Sequence, residues 1–185
     1  MILVSVGTQL PFDRLTRTVD QWAAANQRCD VIAQIGPSSH KPIAMKSFAF
    51  MEHDQFRALE LQCSLMVSHA GMGSIITAME LGKPIIIMAR DHHCGEHRNG
   101  HQLGTAREFA RMPGVYVAAD AAELVALLDR ADDLVASPGL ASTAPGDFIE
   151  RLGAYVQAAS PPPLMRRVRR ALRLLTRPAS TPSSS

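Results

Sequence analysis

Residues 65–88 constrain the fold of this chain more than any other segment, because a glycine-rich turn there separates two apolar runs. The turn reads His69-Ala-Gly-Met-Gly-Ser74, and its two glycines let the backbone bend tightly and lie close to a ligand. The apolar runs on either side have the length of short strands. The segment therefore predicts a strand, a turn, a short helix and a fully buried strand in succession.

The helix of this segment is predicted to span residues 74–81, with Ser74 as its N-cap. Gly82 suits the position just after the helix, and Pro84 prevents its continuation. A helix start behind such a turn presents free N–H groups and the positive end of the helix dipole, which favour a phosphate. The third glycine of the dinucleotide-binding fingerprint is missing, so a tight turn that binds nothing stays an equal alternative on this segment alone.

A carboxylate and a polar segment beyond the turn favour a ligand. Glu80 lies six residues past Ser74, or about 9 Å along the helix. This is close to the distance between the phosphates and the ribose diol of a nucleotide, and a carboxylate accepts hydrogen bonds from both hydroxyls of a diol. A solvated helix residue is the alternative for Glu80. Polar side chains then crowd residues 89–102, after the buried strand, where open α/β sheets bind ligands.

Strand and helix patterns alternate along the chain, which predicts an α/β protein with a doubly wound parallel sheet. The predicted strands lie near residues 2–6, 31–35, 44–50, 65–68, 84–88 and 115–118. The predicted helices lie near residues 13–27, 54–63, 74–81, 99–111, 121–130 and 147–158. Asp13 is predicted to cap the first helix.

Length and composition favour one compact domain, predicted over residues 1–159. No apolar run approaches the ~20 residues that are needed to cross a bilayer. The first predicted strand starts at Met1 without a basic segment before it, so we expect no signal peptide. The three cysteines are odd in number and unclustered, which is typical of reduced thiols in the cytoplasm.

The amino-acid composition of the chain changes at residue 160. Ser160-Pro-Pro-Pro163 is predicted to end the preceding helix and to stiffen a linker. Residues 164–177 carry six arginines and no acidic residue, whereas the chain before them has 13 basic against 17 acidic residues. Apolar residues recur in this segment at helical spacing and leave the arginines mostly on the other side. Residues 160–177 are therefore predicted to form a proline-rich linker and a basic amphipathic helix.

An anionic membrane surface is the partner that such a helix favours. The predicted membrane contacts are Arg166, Arg167, Arg169, Arg170 and Arg173. A helix that docks on the acidic body of the protein and an arm that attracts RNA are the alternatives, but we expect no nucleic acid as a partner. Residues 178–185 are predicted to be disordered.

Several short motifs, in order over residues 1–118, resemble glycosyltransferase family 28 in its C-terminal, donor-binding domain. They are Val4-Ser-Val-Gly-Thr-Gln9, Pro11-Phe-Asp-Arg-Leu15, Gln34-Ile-Gly-Pro-Ser38, Ser68-His-Ala-Gly-Met-Gly-Ser74, Glu80-Leu-Gly-Lys-Pro84, Gly95-Glu-His97 and His101-Gln102. Within the family, the chain resembles the stand-alone donor subunits of bacterial exopolysaccharide synthesis. These are similar to the soluble catalytic subunit of the split N-acetylglucosaminyltransferase of the dolichol pathway.

The resemblance implies a Rossmann-like fold that is one half of a GT-B glycosyltransferase. It implies an inverting, metal-independent hexosyltransferase that moves a sugar (GlcNAc, Glc or GlcA type) from a UDP-sugar to a polyprenyl-diphosphate-linked acceptor. The UDP-sugar is a substrate, and no cofactor is implied. A membrane-anchored subunit would bind the lipid-linked acceptor, and the enzyme would be peripheral on the cytoplasmic face of the membrane.

The resemblance also assigns roles to individual residues. The carried-over donor-binding residues are Gly7, Thr8, Gln9, Ser68, His69, Gly71, Gly73, Ser74, Glu80, Glu96, His101 and Gln102. Glu80 would hold the ribose, while Glu96, His101 and Gln102 would contact the sugar or orient the loop that does. For Thr8 and Gln9, simple turn capping is the alternative. Relatives carry acidic residues where this chain has Asn99-Gly100, which leaves the donor sugar open.

The general base stays open at this point. Two-domain relatives carry it on the amino-terminal domain, which this chain lacks, so the partner subunit is one source of the base. His69 and His97 are the candidates on this chain. A metal site among His93, His97 and His101 has helical spacing, but Gly95 and Gly100 oppose a continuous helix and we expect no metal. A nucleotide-sugar enzyme of another class, such as an epimerase, and a non-catalytic regulatory subunit are the competing functions.

Overall fold

The computed structural model describes residues 1–96 and 101–138, which all lie in the first of the two units of the chain, Met1–Ala141. Strands and helices alternate along them. The strands are β1 (Ile2–Ser5), β2 (Val31–Gln34), β3 (Lys46–Phe48), β4 (Leu65–His69), β5 (Ile85–Met88) and β6 (Val115–Ala118). The helices are α1 (Asp13–Ala25), α2 (His53–Gln62), α3 (Met72–Glu80), α4 (His101–Phe109) and α5 (Ala121–Leu128). Short 3-10 turns occur at His92–Cys94 and Ala131–Asp133.

The strands form one parallel sheet in the order β3-β2-β1-β4-β5-β6. This is the order of a doubly wound sheet, so the predicted fold class is confirmed. The strand order reverses direction between β1 and β4, which are paired with Ser5 opposite Ser68. The carboxyl ends of these two strands therefore open side by side at the switch point of the sheet.

Two apolar layers cover the two faces of the sheet. Side chains alternate between the layers along each central strand: Ile86 and Met88 of β5 face one layer, and Ile85 and Ile87 face the other. Helices α1 and α5 pack on the first face, while α2, α3 and α4 pack on the second. Strand β5 is buried at every residue, as predicted for a central parallel strand.

Helix α3 begins two residues earlier than predicted. Its N-cap is Gly71, with extended backbone angles and no capping side chain, and Ser74 lies within the first turn. The assignment of Ser74 as N-cap is therefore wrong, because glycine is itself accepted at an N-cap and needs no side-chain oxygen there. The end of the helix is as predicted: Gly82 follows the C-cap with a φ of +59°, a conformation that favours glycine.

Asp13 does not cap α1 either. The N-cap is Phe12, and Asp13 is the first helical residue. Its carboxylate instead accepts hydrogen bonds from the hydroxyls of Ser38 and Ser39 and from the Ser39 N–H at 3.2 Å. Burial alone would raise the pKa of Asp13, but these hydrogen bonds outweigh it and lower the pKa below its ordinary value. Asp13 thus ties the loop after β2 to the start of α1.

Some sequence predictions fall outside the described residues. These are the helix at 147–158, the boundary at residue 159, the linker and basic helix at 160–177, and the tail at 178–185. Among residues 1–96 and 101–138, the structure contains no helix long and apolar enough to cross a membrane.

Asp13→Asn should lower the free energy of unfolding by about 1–2 kcal/mol at neutral pH, because it removes a charged acceptor of three hydrogen bonds. The folded-state pKa of Asp13 is depressed, so its stabilisation is present above the unfolded pKa near 3.8 and is lost as the pH falls further. The difference between wild type and variant in urea unfolding should therefore shrink below about pH 4.

Asp54→Asn is the matched control, since Asp54 is an exposed carboxylate in the first turn of α2. It shares the favourable interaction with a helix N-terminus but holds no loop. If Asp54→Asn lost as much stability as Asp13→Asn, this would contradict the conclusion that Asp13 holds the loop after β2 against α1.

Candidate functional site

A cavity of about 570 Å³ lies at the switch point, beyond the carboxyl ends of β1 and β4. Two turns supply most of its wall, one after each strand. It is lined by Val6, Gly7, Thr8, Gln9, Leu10, His69, Gly71, Gly73, Ser74, Arg90 and Gln102. The sequence predicted eight of these residues as donor-binding; it missed Val6, Leu10 and Arg90. Ligands of open α/β sheets bind in this crevice.

The imidazole ring of His69 lies between the two glycine turns. Gly7 has a φ of +79°, and a methyl group on it would lie 3.0 Å from Cε1 of His69. A methyl group on Gly71 would overlap the same ring. His69 Nδ1 lies 3.4 Å from the Ser68 hydroxyl oxygen. These two glycines are therefore required by the packing of His69 at the floor of the cavity.

The first turn of α3 presents backbone N–H groups at the cavity. The first intrahelical hydrogen bond runs from the Ile75 N–H to the Gly71 carbonyl at 3.3 Å, so the N–H groups of residues 72–74 precede the intrahelical ladder. Gly71 offers no side chain to cap them. Gly73 and Ser74, in this turn, line the cavity. Together with the helix dipole, these groups can bind an anion.

Gly73 differs from the other two glycines of the site. It lies inside α3, and among the described residues no atom outside its chain neighbours and the helix backbone approaches within 4 Å of the position that a methyl group would take. Glycine in a helix costs about 1 kcal/mol relative to alanine. The surrounding protein therefore gives no steric reason for glycine at this position.

Arg90 is the main residue that sequence reasoning missed. It is only 2% exposed, yet it lines the cavity. Its guanidinium donates to the carbonyl oxygens of Val6 at 2.6 Å and Leu10 at 2.8 Å, and also to that of Pro11. The carbon Cζ lies 4.8 Å from the centre of the Phe12 ring. The sequence signal that could have identified Arg90 is its position as a charged residue two places after a fully apolar strand.

The Arg90 charge is buried. Burial lowers the pKa of Arg90, and Glu96 partly offsets this effect. An arginine still remains protonated at neutral pH, because the ordinary pKa of its guanidinium lies far above neutral. The positive charge of Arg90, which lines the cavity, is therefore permanent.

Glu96 is held by an ion pair with Arg14 on α1. The Arg14 Nε donates to Oε1 at 2.9 Å, and a terminal nitrogen donates to Oε2 at 2.8 Å. The hydrogen bond from Arg14 to Glu96 raises the pKa of Arg14 above its ordinary value. Oε2 also accepts from the Asp91 N–H at 2.8 Å. Glu96 does not line the cavity, and these contacts fasten the loop after β5.

The amide of Gln102 joins α4 to the same loop. Its Oε1 accepts a hydrogen bond from the Arg90 N–H at 3.1 Å, while the residue also lines the cavity. The side chain therefore has a fixed acceptor oxygen, and its amide nitrogen is the remaining donor group.

The other predicted site residues lie away from the cavity or outside the residues that the structure describes. Ser68 is buried on β4, where its hydroxyl donates to the Ser5 carbonyl at 2.9 Å. Glu80 is exposed at the far end of α3. His97 lies outside the described residues, as does the side chain of His101. The roles of all four in ligand binding stay predictions.

A group of metal-ligand types occurs on the loop after β5. Candidate ligand atoms of Asp91, His92 and His93 all lie within 4.8 Å of one another. A tetrahedral zinc site with bonds of about 2.1 Å places its ligand atoms roughly 3.4 Å apart. Gly95 adopts a φ of +70° directly after this 3-10 turn, which opposes the continuous helix that aligned histidine ligands would need. Metal-free function stays a prediction.

A second depression, of about 610 Å³, lies between α1 and α5 beside Trp22 and Asp129. The indole N–H of Trp22 donates to the Asp129 carboxylate across it at 2.8 Å. It lies on a helical face of the sheet and not at the strand ends, so we assign the ligand site to the first cavity.

Known proteins resemble this chain in both sequence and fold. The chain is 24% identical over 136 residues to the UDP-N-acetylglucosamine transferase subunit ALG13 of Yarrowia lipolytica (strain CLIB 122 / E 150). The match covers 65% of this chain and 65% of that protein, so the chain spans slightly less than two thirds of the length of this relative.

Two solved structures share the fold. The NMR solution structure of ALG13 aligns with a TM-score of 0.54 and 20% identity, covering 82% of this chain and 93% of that one. The crystal structure of the kitacinnamycin glycotransferase aligns with a TM-score of 0.53 and 19% identity, covering 71% of this chain and 34% of that one. The Rossmann-like fold of GT-B glycosyltransferases is thereby confirmed.

Sequence similarity to a family extends over the whole described fold. Residues 1–137 match the family described as Glycosyltransferase family 28 C-terminal domain. The match includes both glycine turns, Arg90 and the loop that Arg14 fastens. The chain belongs to the glycosyltransferase family 28 C-terminal domain family.

Proposed function

We propose that this protein is the UDP-sugar-binding catalytic subunit of a two-component inverting glycosyltransferase. It transfers a hexose of the GlcNAc, Glc or GlcA type to a polyprenyl-diphosphate-linked acceptor, in exopolysaccharide or lipid-linked glycan synthesis. Family membership and the relative named as a UDP-N-acetylglucosamine transferase subunit support this proposal.

The observation that carries the proposal is the glycine at position 73. It costs α3 stability without relieving any steric contact, and it faces the cavity beside the free N–H groups of the first turn. A ligand that lies directly on the backbone explains both facts, because a side chain here would hold it away from the N–H groups. A diphosphate is the ligand that such a helix start favours.

The donor is proposed to extend from this turn in two directions. Its diphosphate lies on the N–H groups of Gly73 and Ser74, with Thr8 and His69 as further donors across the cavity. The uridine extends along α3, where the exposed Glu80 accepts from the ribose hydroxyls. Gln102 and His101 contact the hexose, and Glu96 acts by holding their loop, since its carboxylate is already occupied by Arg14.

The chemical step is displacement of UDP at the anomeric carbon by an acceptor hydroxyl. The bond from that carbon to the diphosphate oxygen breaks as the new glycosidic bond forms on the opposite face. Negative charge develops on the departing diphosphate, and the fixed N–H dipoles of α3 stabilise it in place of a metal ion. The hydroxyl proton passes to a general base, for which His69, His97 and a group of the partner subunit are the candidates.

The acceptor side of the reaction is assigned to a membrane-anchored partner subunit. The 570 Å³ cavity is of the size that holds one small ligand, so the lipid-linked acceptor needs a second surface. The basic segment at 164–177 is proposed to hold the protein at the anionic cytoplasmic face of the membrane.

Gly73→Ala should weaken UDP binding at least about tenfold, because the methyl group separates the diphosphate from the helix N–H groups. It should leave the free energy of unfolding unchanged or raise it by up to about 1 kcal/mol. Isothermal titration with UDP and urea unfolding measure the two effects.

Gly104→Ala is the matched control, since Gly104 lies in α4 with open space around it and does not line the cavity. It should alter stability in the same direction without changing UDP affinity. Wild-type affinity in Gly73→Ala would remove this turn from the binding site.

The reaction itself is tested by transfer of radiolabelled sugar from UDP-sugar into membrane lipid, with and without the partner subunit. We expect transfer only when both are present. Release of UDP and free sugar into solution would favour a nucleotide-sugar enzyme of another class. The absence of UDP binding would favour a regulatory subunit that keeps the fold.

A further inference from the structure

We infer that Arg90 is a positioning residue that holds the turn after β1 in its ligand-binding shape and so sets the affinity for the diphosphate. This inference rests on the proposed function, because it assigns a role to Arg90 within the same donor site. Arg90 links the turn after β1 to the loop after β5, and the sequence did not predict it as a site residue.

The hydrogen bonds of Arg90 go to both ends of the turn after β1. One terminal nitrogen donates to the carbonyl oxygens of Val6 and Leu10, and the other donates to that of Pro11. These acceptors flank Thr8 and Gln9 on both sides. The guanidinium therefore fixes the two ends of the turn that carries them.

The turn has few other anchors. Thr8 and Gln9 are both exposed, and the hydrogen bonds among the described residues include none from their own backbone or side chains. The Gly7 N–H donates weakly to the Ser5 hydroxyl at 3.4 Å. Without Arg90, the turn would keep its strand attachment at Val6 but lose the contacts that shape its outer part.

The same guanidinium also contacts the loop after β5. It donates to the Glu96 carbonyl at 3.4 Å, and the Arg90 backbone N–H is bound to Gln102. Arg14 then fastens the Glu96 carboxylate to α1. Arg90 thus joins the turn after β1 to the loop after β5.

The positive charge of Arg90 couples this link to the binding of an anion. Among the described residues, the hydrogen bonds of its guanidinium all go to carbonyl oxygens and none goes to a carboxylate. Burying a charge without a direct ion pair is costly, and the Glu96 carboxylate, which is bound to Arg14, compensates this cost only in part. A diphosphate in the adjoining cavity would supply further negative charge. Diphosphate binding and the ordered turn therefore stabilise each other.

Lysine cannot replace arginine in this role. The planar guanidinium directs its donors at several acceptors in a fixed fork, whereas an ammonium has three donors on a flexible stem. Arg90→Lys keeps the charge and loses the fork, while Arg90→Gln loses both. Comparing these two variants separates a positioning role of Arg90 from an effect of its charge alone.

The experiment compares UDP with uridine as ligands of wild type, Arg90→Lys, Arg90→Gln and the exposed control Arg111→Gln. Dissociation constants are measured by titration at a temperature where circular dichroism shows each variant folded. Both Arg90 variants should bind UDP at least about tenfold more weakly and uridine within about twofold of wild type. Arg111→Gln should match wild type for both ligands.

Four outcomes would overturn the inference. Wild-type UDP affinity in Arg90→Lys would mean that charge alone suffices. Equal losses for UDP and uridine in the Arg90 variants would reduce Arg90 to a structural residue. Failure of wild-type protein to bind UDP would overturn the proposed function together with this inference, whereas normal binding by all variants would overturn this inference alone.

A measurement on wild type keeps the test decisive if the Arg90 variants do not fold. Hydrogen exchange of the amides of residues 7–10 should slow on addition of UDP and stay unchanged on addition of uridine. Equal slowing by both ligands would contradict a link between the turn and the diphosphate.

Discussion

The pairing of β1 with β4 is the constraint on which the site depends. Because strand order reverses there, the turns that follow these two strands open into the same crevice. The register with Ser5 opposite Ser68 brings Gly7 and Gly71 to either side of the His69 ring. A shift of one residue would turn the side chains to opposite faces of the sheet and separate the two turns.

The electrostatics of the cavity come from fixed groups. The first turn of α3 lines the cavity with its backbone N–H groups, and the buried Arg90 also lines it. The Glu96 carboxylate, on the loop after β5, is neutralised by Arg14. A cavity of this kind is prepared for an anion before the anion arrives, since neither the helix start nor the hydrogen-bonded arginine has to reorganise.

The sequence predicted the architecture well because the strands are short, apolar and separated by clear turn signals. All six strands and five helices in the described residues lie near their predicted positions. The helix starts were harder to place: Ser74 and Asp13 are residues that favour N-caps, but glycine and phenylalanine occupy those positions. The Asp13 carboxylate is instead bound by Ser38 and Ser39, and only the tertiary structure reveals these contacts.

The candidate site was predicted where it depends on local turns and missed where it depends on long-range contacts. Gly7, Gly71 and Gly73 stand in recognisable patterns, whereas the links of Arg90 to Leu10 and of Arg14 to Glu96 join residues about eighty positions apart. Local patterning carries no information about such pairs. For the same reason the sequence could not show that Glu96 is already engaged.

The most direct test of the account is a crystal structure of the protein with UDP bound. The account predicts the diphosphate within hydrogen-bond distance of the Gly73 and Ser74 N–H groups, with the uridine extending along α3. UDP bound between α1 and α5, or a cavity at the switch point that stays closed to UDP at saturating concentration, would contradict it.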